Sequence, residues 1–528
     1  MSEEEQTAVT EQQGIIKAAT ILAIANVISR VLGMTREIVK ASLFGASGLL
    51  SAFEVAAYVP MSLYELIIGG MVNSALVPVF SEYAAKERRE ALWELVSMVL
   101  TIALIALTAV VIFIELAAPF IADLVGANEF QNPALRETSI HLMRLAAPAV
   151  LFLGIATVLS AVLYALRRFA LPAFMSAVFN GTIVVVALLN PDKIESLVYG
   201  MLIGAVLQVI LQWIGLRDAR LRWNLNWQHP AIRRILKLYA PIVAGLLVSQ
   251  AAVAFSYRLA TSVGDQSISY MKFATTLYQF PLGLVVTALS MATLPTLSRQ
   301  AVDRLPAYRQ TLADGIRLVI TLILPATAGL FVLALPIVIL LFERGRFTPE
   351  NSQITAQVLR VYLIGLPFAA VDQMLVFASY ARKDTWRPAA VGVFSVVIYV
   401  ITAVVLVDSI GLYSLMVADA VKHIVHTAVM FWLLRRHVGK LSGYGIVRAL
   451  LQSLLAAAVT GLAAYGAMVF VMGLGLEDSI SSFLYHLLIV GAAGLAGLLA
   501  YLLMAYLLRI SEVQMIWNML RRKKTINN

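Results

Sequence analysis

The residues of this chain best suited to act on a charged ligand lie inside apolar stretches. Arg30, Arg36, Glu37, Glu54 and Glu65 occupy one early segment, together with Tyr64 and the adjacent Gly69 and Gly70. A charge at the centre of a membrane helix costs about 2.5–3.5 kcal/mol on insertion scales, so such a residue normally faces a cavity or an opposite charge. Further along, Arg258 and Lys272 flank a short connection around Asp265, and Thr275, Thr276, Tyr278 and Gln279 continue a polar stripe to Pro281. Arginine meets phosphate oxygens through paired N–H groups and lysine meets them as a point charge. A cavity lined by these cations and tyrosines suits an anionic headgroup. Arg36, Glu37 and Lys40 also fit a plainer reading, as side chains reaching from a helix end to the membrane surface. Arg144, Arg360, Asp372 and Asp419 are secondary candidates.

Covalent chemistry has little to work with here. The chain contains no Cys, so thiolate nucleophiles, disulfides and Cys-based metal sites are excluded. No Gly-rich loop leads into Lys-Ser or Lys-Thr, no His-Glu-x-x-His occurs, and no spaced aspartates suggest a Mg²⁺-pyrophosphate site. His423 and His426 share a helical face beside Lys422 and read as an interfacial polar face rather than as metal ligands. The expectation is a protein that is not an enzyme and that uses no cofactor or metal.

The elements that position these residues are apolar helices. Of 528 residues, 60% are hydrophobic and 13% are charged, against roughly 45–50% and 25% in soluble domains. A soluble multidomain enzyme is excluded. Runs of spanning length fall near 15–34, 49–82, 91–121, 138–166, 170–190, 195–216, 234–261, 268–297, 311–342, 353–381, 387–407, 410–434, 446–473 and 482–509. The expected fold is therefore an all-α polytopic membrane protein of about fourteen spans. Pro60 and Pro281 lie in the second and eighth runs, each long enough that it must tilt or bend, and are the expected kinks, and Gly69 and Gly70 add bending freedom.

The formal charge of +10, from 40 Lys and Arg against 30 Asp and Glu, is distributed unevenly. Connections after even-numbered spans are basic, among them Arg167 and Arg168, Arg382, Lys383 and Arg387, and Arg435 and Arg436. Those after odd-numbered spans are poor in cations, except for Arg36 and Lys40 and for Arg344 with Arg346. By the positive-inside rule both termini are cytoplasmic and the chain is a multi-pass protein of the cytoplasmic membrane. The charge is a membrane-topology signal, and no nucleic-acid partner is expected. The acidic Met1-Ser2-Glu3-Glu4-Glu5 start is unlike a signal peptide, so the first helix is expected to stay.

The chain also repeats itself. Arg144, Tyr164-Ala165 and Pro172-Ala173 recur as Arg360, Tyr380-Ala381 and Pro388-Ala389, each pair 216 positions apart. A second echo links Pro60 and Pro78-x-x-Ser81 with Pro281 and Pro295-x-x-Ser298. Six spans separate the copies, so they share orientation, as in transporters built from parallel repeats. The expected organisation is an acidic tail over 1–14, an N-lobe over 15–222, a C-lobe over 223–440, two further helices over 441–509 and a basic cytoplasmic tail over 510–528.

Ser29-Arg30-Val31-Leu32-Gly33-x-x-Arg36-Glu37, Phe44-Gly45-Ala46-Ser47 and Ser74-Ala75-x-Val77-Pro78-Val79-Phe80-Ser81-Glu82-Tyr83 together resemble the opening of the MurJ (MviN)-type lipid II flippases. Phe280-Pro281-x-Gly283, Leu341-Phe342-Glu343-Arg344-Gly345 and Tyr380-Ala381-x-Lys383-Asp384-Thr385 extend the likeness over nearly the whole chain. These flippases belong to the multidrug/oligosaccharidyl-lipid/polysaccharide exporter superfamily. The resemblance implies two six-helix lobes around a cavity in which a lipid-linked pyrophosphate headgroup crosses the membrane. It implies phosphate contact by Arg30 and Arg36, with Glu37 as the family's first-helix acid. Other family positions depart from the pattern: an Arg-Arg pair falls on Tyr64-Glu65, and an eighth-helix Arg falls on Thr276. Lys272 and Arg258 are the candidate replacements, and Glu54 and Glu65 are expected to set cavity charge.

The implied function is alternating-access flipping of undecaprenyl-pyrophosphate-linked peptidoglycan precursor. The alternatives are export of another polyprenyl-linked oligosaccharide and drug/cation antiport. The implied partners are that lipid, membrane lipids and, as candidates, cell-wall synthesis proteins.

Overall fold

Apolar runs bounded by Pro, Gly and charge form helices because a chain out of water must satisfy every backbone N–H and C=O within its own segment. The computed structural model describes residues 3–67, 72 and 75–513, and among these there is no strand. In order the helices are α1 (Glu3–Phe44), α2 (Gly48–Leu66), α3 (Val77–Glu82), α4 (Arg89–Leu124), α5 (Pro133–Ala146), α6 (Pro148–Ala165), α7 (Ala170–Ala173), α8 (Met175–Leu189), α9 (Glu195–Ile214) and α10 (Pro230–Val263). There follow α11 (Ser267–Pro281), α12 (Thr287–Asp303), α13 (Leu305–Val332), α14 (Ala334–Phe342), α15 (Pro349–Ala381), α16 (Trp386–Ile410), α17 (Tyr413–Val438), α18 (Ile446–Gly473) and α19 (Ser482–Leu507).

Each of the fourteen apolar runs is helical where described, and ten helical stretches are long and apolar enough to cross a membrane. The count of fourteen spans is not reached on that measure. The remaining runs correspond to α1, to α2 with α3, to the short α7 and α8, and to α11 with α12. These are less apolar or are interrupted, and they carry Arg30, Arg36, Glu37, Glu54 and Lys272. Leu116, Phe120, Leu462, Phe470 and Tyr506 are among many large apolar side chains left exposed. Such surface is stable against lipid and not against water, so the chain is a multi-pass membrane protein.

The backbone departs from α geometry near both expected kinks. Helix α2 continues through the buried Pro60 to Leu66, after which Ile67, Val72, Ala75 and Leu76 are wound as π turns. Helix α11 stops at Pro281 and a π turn spans Leu282–Val286. Proline has no N–H to donate to the helix ladder, and π turns recur at functional sites. Gly69 and Gly70 lie outside the described residues.

The helices gather into two units, 1–269 and 270–528. In the first, Leu92, Val96, Val158, Leu159, Val162 and Ala165 form a buried core with Phe80 and Trp93. In the second, Tyr308, Leu312, Met374, Leu375, Ala378 and Ala381 form its counterpart. Each residue of the second list lies 216 positions after one of the first six residues of the first.

The same offset governs polar detail. Asn132 and Thr348 each cap a helix that opens with proline. Arg144 Nε donates to the carbonyl of Glu115 at 3.2 Å, and Arg360 Nε donates to that of Phe331, also at 3.2 Å. Arg167 and Lys383 both take positive φ, 58° and 60°. The sequence repeat is therefore a repeat of cores, caps and corners.

Candidate substrate-binding site

The densest buried charge of the first unit lies where α1 meets α2. Gly45, at φ 64°, turns the chain, and Ser47 caps α2 by accepting from the Leu50 amide at 3.2 Å. So short a turn sets the end of α1 beside the start of α2. Lys40 donates to Glu37 at 3.0 Å and to Glu54 across the turn. Arg36 grips Glu37 with Nε at 3.0 Å and Nη2 at 2.7 Å, and its Nη1 donates to Asn180 of α8 at 2.9 Å. Glu37, Lys40 and Glu54 are 1%, 3% and 5% exposed. The Lys40 ammonium also lies 5.5 Å from the centre of the Phe53 ring, an attractive placement for a cation.

Two cations and two carboxylates make this quartet formally neutral. Removing charges from water costs several kcal/mol per ion, and only close pairing with hydrogen bonds offsets it. Arg36 retains an exposed edge, with 26% of its side chain accessible. Arg30, two turns earlier on α1, is half-buried and makes no hydrogen bond or ion pair among the described residues. An anion approaching α1 would meet Arg30 and the free edge of Arg36, with the quartet fixing that edge in place. Helix α8 holds α1 closely here: Asn180 also donates to the Ser29 carbonyl at 3.4 Å, and a side chain at Gly33 would meet Asn180.

The other expected residues are distributed more widely. Glu54 joins the quartet, Tyr64 is half-buried further along α2, and the exposed Glu65 accepts from Gln250 of α10 at 3.0 Å. Arg258 belongs to a latch at another end of the unit. It donates to Glu129 at 2.6 Å and to the Asp123 carbonyl at 3.2 Å, while the Asp123 carboxylate takes both arms of Arg136 at 2.8 Å. In the second unit, Lys272 is half-buried on α11 and Thr276 donates to its backbone carbonyl at 2.9 Å.

Two features escaped the sequence reading. Lys40 fitted a surface role, yet it is the hub of the quartet; its spacing of three from Glu37 was the available signal. His423 and His426 read as an interfacial polar face beside Lys422, yet each meets a carboxylate: Asp419 lies one turn before His423 on α17, and Asp372 reaches His426 from α15. No group of three or more His, Asp or Glu among the described residues could hold a metal ion.

Comparison with known proteins supplies the context. The family model described as "MurJ: Lipid II flippase MurJ" matches residues 40–486. A probable lipid II flippase MurJ of Vibrio cholerae is 29% identical, covering 80% of this chain and 83% of its own. One of Bdellovibrio bacteriovorus is 27% identical over 98% of this chain and 99% of its own. A solved lipid II flippase MurJ in an inward closed conformation superposes with a TM-score of 0.77 at 22% identity, covering 92% of this chain and 98% of its own. An inward-facing multidrug resistance transporter of the MATE family and MOP superfamily follows at 0.67 and 15%, over 80% of this chain and 98% of its own.

Proposed function

The chain belongs to the MurJ lipid II flippase family, and from that premise we propose that it carries lipid II across the cytoplasmic membrane by alternating access. The observation that carries the reading is the family match over residues 40–486. The buried quartet and the unpaired Arg30 support it chemically. Flipping a lipid breaks no covalent bond; it needs a polar route for the headgroup and two conformations of similar energy. Arg30 and the exposed edge of Arg36 contact the pyrophosphate, Glu37, Lys40 and Glu54 hold Arg36 in register, and Lys272 is a further candidate for phosphate contact. Pro60 and Pro281, each followed by π turns, are the bending points. Both termini face the cytoplasm, as the basic connections require.

The test is leaflet-resolved transport in vesicles holding the purified chain and labelled lipid II. The expected result is lipid II reaching the opposite leaflet with the native chain, and transport lost with Arg30→Ala while the protein remains folded. Full transport by Arg30→Ala would remove Arg30 from the site. Movement of a different polyprenyl-linked oligosaccharide, with lipid II left in place, would replace the substrate assignment.

A further inference from the structure

The second unit contains a cluster of ionisable groups that the proposed headgroup contacts do not use. His426 Nδ1 of α17 lies 2.5 Å from Asp372 Oδ1 of α15. One turn away on α17, Lys422 donates to Asp419 at 2.5 Å, and His423 Nε2 lies 3.7 Å from the other oxygen of that carboxylate. The Lys422 ammonium lies 5.8 Å from the Tyr399 ring of α16. These side chains are largely withdrawn from solvent: Asp372 is 15% exposed, His426 13% and Asp419 18%.

Other helices packed on the cluster bring few further charges. From α11 comes Tyr278, whose ring lies 5.8 Å from Tyr362 of α15 and whose buried hydroxyl has no hydrogen-bond partner among the described residues. From α12 comes Thr287, bonded to Gln373 at 3.1 Å. Helix α14 has no ionisable residue, and Asp314 and Arg317 of α13 pair with each other at 3.4 Å.

With both imidazoles neutral the cluster holds two carboxylates against one ammonium, a formal charge of −1. We propose that the Asp372–His426 pair is a proton-binding site, loaded in one stage of the transport cycle and emptied in another. The link to transport rests on the flippase reading above; the proton binding itself does not. An ionised carboxylate only accepts, so the imidazole Nδ1 carries the hydrogen directed at Asp372 and Nε2 keeps its lone pair. A proton arriving from water bonds to Nε2, and the resulting imidazolium faces Asp372 and brings the cluster to neutrality. Imidazole titrates near pH 6.5 when unperturbed, in the range where such a site can both fill and empty. A hard metal cation prefers several oxygen ligands, whereas here a ring nitrogen already occupies one carboxylate oxygen.

Two measurements on the full chain in lipid nanodiscs or vesicles test this. Six histidines permit ¹⁵N-imidazole NMR, with the His426 signal assigned by its loss in His426→Gln. That signal is expected to titrate between pH 5 and 9 and to shift its midpoint by about one unit or more in Asp372→Asn. A His426 signal that does not titrate overturns the proposal, whatever the chain transports. Second, lipid II transport is expected to vary about tenfold over the same range, and that pH profile is expected to flatten in His426→Gln and Asp372→Asn. Variants that lower activity equally at every pH would make the pair a structural tie and overturn the coupling. A response to Na⁺ at fixed pH, with no titration, would overturn it in favour of a metal cation. A native chain that moves no lipid II would defeat the flippase reading and leave the NMR result to decide proton binding.

Discussion

Lys40 holds two carboxylates at once, which makes it the most sensitive member of the quartet. Lys40→Met leaves Glu37 and Glu54 buried with one cation fewer, a change that costs about 3–5 kcal/mol by the usual penalty for an uncompensated buried charge. The expected outcome is a large fall in thermal stability in detergent, partly reversed in Lys40→Met/Glu54→Gln because the second change removes the stranded charge. Equal stabilities of the single and double variants would refute the pairing. Arg36, Glu37 and Glu54 were legible in the sequence because each was a charge in an apolar setting. Lys40 was not, since a lysine near a helix end gives the same signal whether its ammonium reaches water or a buried acid. The pairing of Asp372 with His426 was not legible, because their meeting is a property of two packed helices, α15 and α17, that no spacing along one chain reveals.

At the scale of elements, the helices were legible throughout, but their ability to span was not uniform. Three of the four runs that fall short of spanning character bear Arg30, Glu54 or Lys272, since a charge and an apolar span compete for the same positions; the fourth, α7 with α8, is uncharged but broken at Phe174. Close approaches between elements were not legible. Gly126, at φ 106°, has no room for a side chain: a Cβ there would sit 2.4 Å from the Cα of Arg258 on α10. Gly126→Ala is expected to destabilise by about 1–3 kcal/mol, seen as a lowered Tm, whereas Gly245→Ala on the same α10, with nothing within 4 Å, is expected to be neutral. Outside the apolar spans, the Arg168 guanidinium beside Asp218, at 2.7 Å, holds that carboxyl below the usual carboxylate range. A depressed folded-state value stabilises above the unfolded value near pH 4 and is lost as the pH falls through the folded one. Asp218→Asn is therefore expected to lower Tm slightly at pH 7, by under about 1 kcal/mol for so exposed a pair, and to match the native chain in acid.

For the whole molecule, the repeat was the most informative part of the sequence, and its offset proved structural. Arg144 and Arg360 make the same bond to carbonyls 29 residues earlier. Arg144→Ala and Arg360→Ala are each expected to cost about 1 kcal/mol, Arg360 slightly more because its guanidinium also lies 6.0 Å from the Phe331 ring. Thermal shifts differing several-fold would show that the two copies have diverged in use. The absence of native cysteine makes orientation measurable without background: a cysteine placed at Phe169 is expected to react from the cytoplasmic side, and one at Asp192 from the opposite side. Labelling of both from one side would overturn the even alternation of spans.

The neutrality of the quartet has an electrical consequence. A group of side chains that carries no net charge does no work against a voltage when it moves, however far its helix travels. Moving one elementary charge through 100 mV is worth about 2.3 kcal/mol, so a displacement of the 29–44 stretch of α1 together with the quartet would owe its voltage sensitivity to Arg30. Arg36, although cationic, is balanced by Glu37 and is electrically silent in such a displacement. A current measured during turnover would therefore change by one charge in Arg30→Gln and by none in the matched pair Arg36→Gln/Glu37→Gln.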